Sequence, residues 1–123
     1  MKLHEVKEIL DADVIVGTEK LDMEVKTAFG TDLMSDVLAF AKPGSLLLTG
    51  LTNAQVIKTA ATRNIAAIIL VRGKQPSSEA INAAKELQIP ILATKYILFE
   101  TAGILYSKGI VGCIKKVGND SLS

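Results

Sequence analysis

Three aliphatic runs dominate the second half of the chain: Ser45 to Thr49, Ile65 to Val71 and Pro90 to Ala93. Each is too short for a buried helix and apolar at consecutive positions, so each reads as a strand buried on both faces. Helical segments lie between and after them. Val56, Ile57, Ala60 and Ala61 line one, entered through a capping box of Thr52 and Gln55. Ala80, Ile81, Ala84 and Leu87 line the next, capped by Ser77 or Ser78, and Leu98, Ala102 and Leu105 line a third, capped by Thr94. Strands that must be covered on both sides, alternating with helices, allow few architectures. The expected fold class is α/β, a three-layer sandwich with a mostly parallel sheet of about five strands and helices on both faces. Each crossover should be right-handed.

The first half is less regular. Leu3, Val6, Ile9 and Leu10 recur at helical spacing, and Asp13 to Gly17 reads as a short strand. A polar turn runs from Gly17 to Asp22. Val25, Thr27 and Phe29 alternate with Lys26, Ala28 and Gly30, as in a second strand. Thr31 or Asp32 can cap a helix whose apolar face is Leu33, Met34, Val37, Leu38 and Ala41, ended by Pro43-Gly44. Ile110 to Ile114 reads as a final strand. Residues 1–117 are expected to form one domain and residues 118–123 a frayed tail.

Composition narrows the function classes. The 123 residues fit one domain. Aromatics make up 4% and Trp is absent, so the core must come from Ile, Leu, Val and Ala. Fourteen basic and thirteen acidic residues are scattered without a basic stripe, which gives nucleic-acid binding no support. Cys113 is alone and cannot form an internal disulfide, as suits a reducing compartment. No apolar run reaches the roughly 20 residues of a membrane helix. The opening Met1-Lys2-Leu3-His4-Glu5 lacks the apolar stretch of a signal peptide, so a cytoplasmic protein with no membrane contact is expected. A mean hydropathy of +0.35 is high for a small monomer and points to a homodimer that buries the excess.

In a parallel sheet the carboxyl ends of the strands share one edge, where ligands bind. That edge should gather Thr31 and Asp32, then Thr49, Thr52 and Asn53, then Arg72, Gly73 and Lys74, and finally Thr94 and Lys95. Helix N-termini and three cations there favour an anion. The alternative is that these residues only cap helices and solvate loops. Motif searches return nothing stronger. Gly73-Lys74 is followed by Gln75, so no phosphate-binding loop is present, and no dinucleotide-binding glycine pattern follows a strand. His4 and Cys113 are single and far apart, which leaves no metal site; His4 reads as an exposed helix residue and Cys113 as a small apolar filler. Asp32 and Asp36 are four apart, so on a helix they would share a face; capping and solvation explain them better than acid–base work. No cofactor is implied.

The stretch from Ser45 to Ile110 resembles the DRTGG domain. It carries an apolar strand, a capped helix, the run Ile65-Ala66-Ala67-Ile68-Ile69-Leu70-Val71-Arg72-Gly73, Pro76 before a helix, and Gln88-Ile89-Pro90-Ile91-Leu92. Thr31 to Ala39 is similar to short stand-alone members of anaerobic bacteria. The resemblance implies an accessory, non-catalytic module, of the kind found beside CBS domains in regulated pyrophosphatases, where it contributes to the dimer interface. It also implies kinship with the N-terminal half of HPr kinase/phosphorylase and proximity to iron-hydrogenase systems. The chain departs from the family signature. The Asp-Arg position falls on Thr52-Asn53, and the Thr-Gly-Gly position on Val71-Arg72-Gly73, where only the last glycine matches. The Asp-Thr-aromatic element falls on Ile97-Leu98-Phe99, where only the aromatic remains.

Three functions stay open at this point. The first is a non-catalytic, dimeric regulatory domain that binds an anionic small molecule. The second is an adaptor for a protein partner in a redox or signalling system. The third is a small enzyme using Asp32, Asp36 or Arg72, which trails because no nucleophile–base pair can be named.

Overall fold

A computed structural model describes residues 1–118. The elements, in chain order, are α1 (Leu3–Ile9), β1 (Asp13–Val16), β2 (Thr27–Gly30), α2 (Met34–Phe40), β3 (Leu46–Thr49), α3 (Ala54–Thr62), β4 (Ala67–Leu70), α4 (Ser78–Leu87), β5 (Ile91–Ala93), α5 (Leu98–Ser107) and β6 (Val111–Gly112). The sheet order is β1-β5-β4-β3-β2-β6. Five strands are parallel, and β1 alone runs antiparallel, against β5. The sheet thus has six strands where about five were expected. The last, β6, is only two residues long and pairs with the start of β2. Apart from Gly118, the tail expected at 118–123 lies outside the described residues.

All four residues of β3 and all four of β4 are buried. Successive side chains point to opposite faces of a strand. Leu47, Ile68 and Leu70 therefore meet Val37 of α2, Val56, Ile57 and Ala60 of α3, and Ala80 and Ala84 of α4. Leu46, Leu48, Ala67 and Ile69 face the other way, into Leu3, Val6 and Leu10 of the α1 region and Leu105 of α5. This double burial is why the runs had to be apolar at every position. At roughly 2–5 kcal/mol lost per buried Leu or Ile truncated to Ala, these two layers hold the sandwich together.

Three of the four helix caps expected from the sequence differ in the structure, and that of α4 agrees. The cap of α3 is Asn53, whose side chain accepts from the Val56 N–H at 3.1 Å, and not the Thr52–Gln55 box. Ser77 caps α4 through the Ala80 N–H. Helix α5 starts three residues later than a Thr94 cap would require: Ile97 is its N-cap, with no side-chain bond. Likewise Leu33, not Thr31 or Asp32, is the N-cap of α2. Asp32 therefore lies outside the helix and shares no helical face with Asp36, which sits in the first turn. Leu33 and Leu38 are exposed, so only Met34, Val37 and Ala41 of the expected face turn inward.

Cys113 is not an apolar filler. Its sulfur accepts the Lys42 N–H at 3.2 Å and lies 3.2 Å from the Ser45 hydroxyl, which in turn pairs with Thr27 Oγ1 at 2.5 Å. These bonds tie the segment after β6 to the amino ends of β2 and β3.

Candidate functional site

Because β2 to β5 are parallel, the loops after them converge on one edge. The reversed β1 brings its own beginning, Asp13, to the same edge beside Ala93. Two clusters form there.

The first cluster centres on Asp32. Its Oδ1 accepts the Thr49 hydroxyl and the Gly50 N–H, both at 2.8 Å. Thr49 is fully buried and accepts the Leu51 N–H at 3.2 Å. The Gly50 N–H, then the Thr49 hydroxyl, and to a smaller extent the nearby Arg72 guanidinium hold the Asp32 carboxyl below the usual carboxylate range. Asp32 is thus a fixed negative charge at neutral pH and not a proton donor. The Arg72 guanidinium lies directly over Gly50, in the space that a Cβ would fill. Glycine is required there for close approach, not for conformation.

The second cluster is built on backbone strain. Arg72 and Gly73 both adopt left-handed conformations, at φ of 64° and 68°. Glycine accepts this freely, whereas the arginine is strained by about 1–2 kcal/mol. The next loop holds both in place. The Arg72 N–H donates to the Tyr96 carbonyl at 2.8 Å and the Gly73 N–H to the Thr94 carbonyl at 3.0 Å. Thr94 is buried, and its hydroxyl donates to the Leu10 carbonyl at 2.6 Å. Three loops are thereby joined around a cavity of about 380 Å³, walled by Asp11, Asp13, Gly73, Thr94, Lys95 and Tyr96 among others.

Of the residues expected at the site, Gly73, Thr94 and Lys95 line this cavity, and Arg72 and Lys74 flank it, exposed. Among the described residues, no carboxylate lies within 4.0 Å of Arg72, Lys74 or Lys95. Thr49 serves the Asp32 cluster, Asn53 caps α3, and the Thr52 carbonyl accepts the Ser77 N–H. Sequence reasoning missed Asp11, Asp13, Gln75 and Tyr96, which with Leu10 and Ala93 complete the lining. Only the reversal of β1 brings the two aspartates there, and no local pattern encodes it. The cavity therefore offers two carboxylates on the α1–β1 side and the Lys95 ammonium on the other. No group of three His, Cys, Asp or Glu among the described residues could hold a metal, and no described helix is long and apolar enough to cross a membrane.

The model of the DRTGG domain family matches residues 5–107. No curated protein matches the chain. Among solved structures, the chain is similar to the CBS and DRTGG domains of the regulatory region of a Clostridium perfringens pyrophosphatase, crystallised with its activator, diadenosine tetraphosphate. The TM-score is 0.70 at 18% identity, over 96% of this chain and 51% of the other. The chain thus spans about half of that neighbour's length, and at this identity the likeness is one of fold.

Proposed function

The chain belongs to the DRTGG domain family, and from that premise we propose that it is a non-catalytic regulatory module, one domain over residues 1–117, that senses an anionic metabolite and works as a homodimer. The observation that carries this reading is the strained Arg72-Gly73 turn beside the cavity, with no carboxylate of the described residues within 4.0 Å of Arg72, Lys74 or Lys95. Backbone strain persists where the surroundings over-determine it, commonly at ligand sites. Cations not engaged in a close ion pair suit an anionic ligand. The carboxylates of Asp11 and Asp13 add acceptors for hydroxyl or amino groups. That combination fits a nucleotide or sugar phosphate better than a bare anion. The neighbour of similar fold has a nucleotide activator, which supports the same class. We assign the module to the cytoplasm, because the single Cys113 thiol suits a reducing compartment.

A thermal-shift series with adenine nucleotides, sugar phosphates, acyl phosphates, pyrophosphate and nicotinamide cofactors tests the reading. A ligand at 100 times its dissociation constant stabilises by about 2.7 kcal/mol, which raises Tm by several degrees. Arg72→Ala should abolish the shift. A flat response across the series would favour the second reading, an adaptor for a redox or signalling protein, for which the exposed Phe99 and Tyr106 of α5 speak.

A further inference from the structure

Neighbouring strands β4 and β5 send their chains to opposite faces of the sheet. Helix α4, which follows β4, packs with α2 and α3 over Leu47, Ile68 and Leu70. Helix α5, which follows β5, packs with α1 over Leu46, Leu48 and Ile69. In an open α/β sheet, ligands bind in the crevice at the carboxyl ends of two such strands. The cavity between Gly73 and Thr94 lies in that crevice, and its volume of about 380 Å³ is at the small end of the roughly 300–1,000 Å³ of small-molecule sites.

The inside and the rim of this site differ in chemistry. The turn after β4 offers no backbone cradle for a phosphate, because its N–H groups are spent. Those of Arg72, Gly73 and Lys74 donate to the carbonyls of Tyr96, Thr94 and Val71, at 2.8, 3.0 and 3.3 Å. The Thr94 hydroxyl is committed to Leu10. An anion must therefore be held by side chains. Of the cations, only Lys95 is on the lining, where Asp11 and Asp13 outnumber it; Arg72 and Lys74 lie outside, exposed. An anion is thus disfavoured within the cavity and favoured at its rim. The lining offers acceptors instead, together with a ring. Tyr96 is 42% exposed, and no other ring of the described residues packs against it. Its loop is fixed by the bonds to Arg72 and Gly73.

We infer that the cavity takes the nucleoside end of a nucleotide, with the base on Tyr96 and the ribose hydroxyls donating to Asp11 and Asp13, and leaves the phosphates outside, against Arg72 and Lys74. Ionised carboxylates only accept hydrogen bonds, so this wall selects hydroxyl and amino groups and turns away a bare phosphate. An aromatic face stacks on any base. The orientation rests on the anion-sensing reading and makes Asp11, Asp13 and Tyr96 the residues that set specificity.

Isothermal titration calorimetry of the full chain with AMP, GMP, ADP, dideoxyadenosine monophosphate, ribose phosphate and pyrophosphate tests it. AMP and GMP should bind, and ADP at least as tightly as AMP, since its second phosphate extends toward solvent. The dideoxy analogue, which lacks both ribose hydroxyls, should bind about tenfold more weakly than AMP. Ribose phosphate, which lacks the base, should also lose about tenfold, and pyrophosphate more. Asp13→Asn should weaken AMP and strengthen pyrophosphate, a reversal that simple loss of structure does not produce. Tyr96→Leu should weaken AMP, and Tyr96→Phe should restore it. Pyrophosphate, ribose phosphate or the dideoxy analogue binding the parent as tightly as AMP overturns the orientation and leaves the anion-sensing reading standing. Binding by none of the six overturns both.

Discussion

Asp32 ties its own loop to the end of β3 with one carboxylate, and its protonation state is what makes the tie strong. Hydrogen bonds to a charged acceptor contribute more than neutral ones, but this carboxylate is largely exposed and its contribution must be discounted. Asp32→Ala should therefore destabilise the fold by about 1 kcal/mol at neutral pH. The folded-state pKa lies below the unfolded one, so the contribution is complete above the unfolded value of about 3.9 and fades as pH falls through the folded value. Thermal melts of the two proteins should differ at pH 7 and converge below about pH 4; a gap that widens in acid would contradict this account. Gly50 offers a sharper probe. A methyl there displaces only the far end of the flexible Arg72 side chain. Gly50→Ala should melt within a few degrees of the parent and yet respond to ligand as Arg72→Ala does. Sequence reasoning brought Arg72, Gly73, Thr94 and Lys95 to this edge, because each follows directly on an apolar run. It could not find the partner of Asp32, since Thr49 and Gly50 reach it through space and across two strands.

At the scale of the element, periodicity is strong and capping is ambiguous. Strands β3 to β5 and the helices between them were legible because double burial forces a continuous apolar run. The entry of α4 was legible too, at Ser77, but that of α3 was not. Around α3, Thr52 and Asn53 both carry a side-chain oxygen within one residue of the boundary, and only the backbone angles decide which one caps. Asn53→Ala should cost about 1 kcal/mol, the usual value of an N-cap bond, while Thr52→Ala should change little. Equal losses in urea titrations would mean that the cap is shared. The same ambiguity displaced Thr94, whose hydroxyl bonds Leu10 across the sheet edge and leaves α5 to start at Leu98. Helix α5 was legible in position but not in orientation. Ala102 was assigned inward by its spacing, yet it is exposed, because a short stretch rich in small and apolar residues marks no polar face to fix the rotation.

The whole molecule is a sheet with two unlike margins. Strand β4 lies between β3 and β5 with every residue buried, whereas β6 is two exposed residues on a rim. Amide hydrogen exchange should be slowest in β4 and fastest, among the strands, in β6; protection in β6 equal to that in β4 would show a longer-lived edge than these contacts give. Fold class and most of the strand sequence could be read from the chain, but strand order and the direction of β1 could not. Those depend on which edge is left to fill once the parallel strands have assembled. That detail has a kinetic meaning. Strand β1, at residues 13–16, bonds only to β5, at residues 91–93, so a growing chain exposes it long before its partner exists. Contacts of such sequence separation form late, after the loop-closure entropy of the chain between them has been met. Asp11 and Asp13 reach the cavity only on this pairing. The pocket should therefore be the last part of the molecule to mature, and an intermediate with its central strands already formed would still be unable to recognise its ligand.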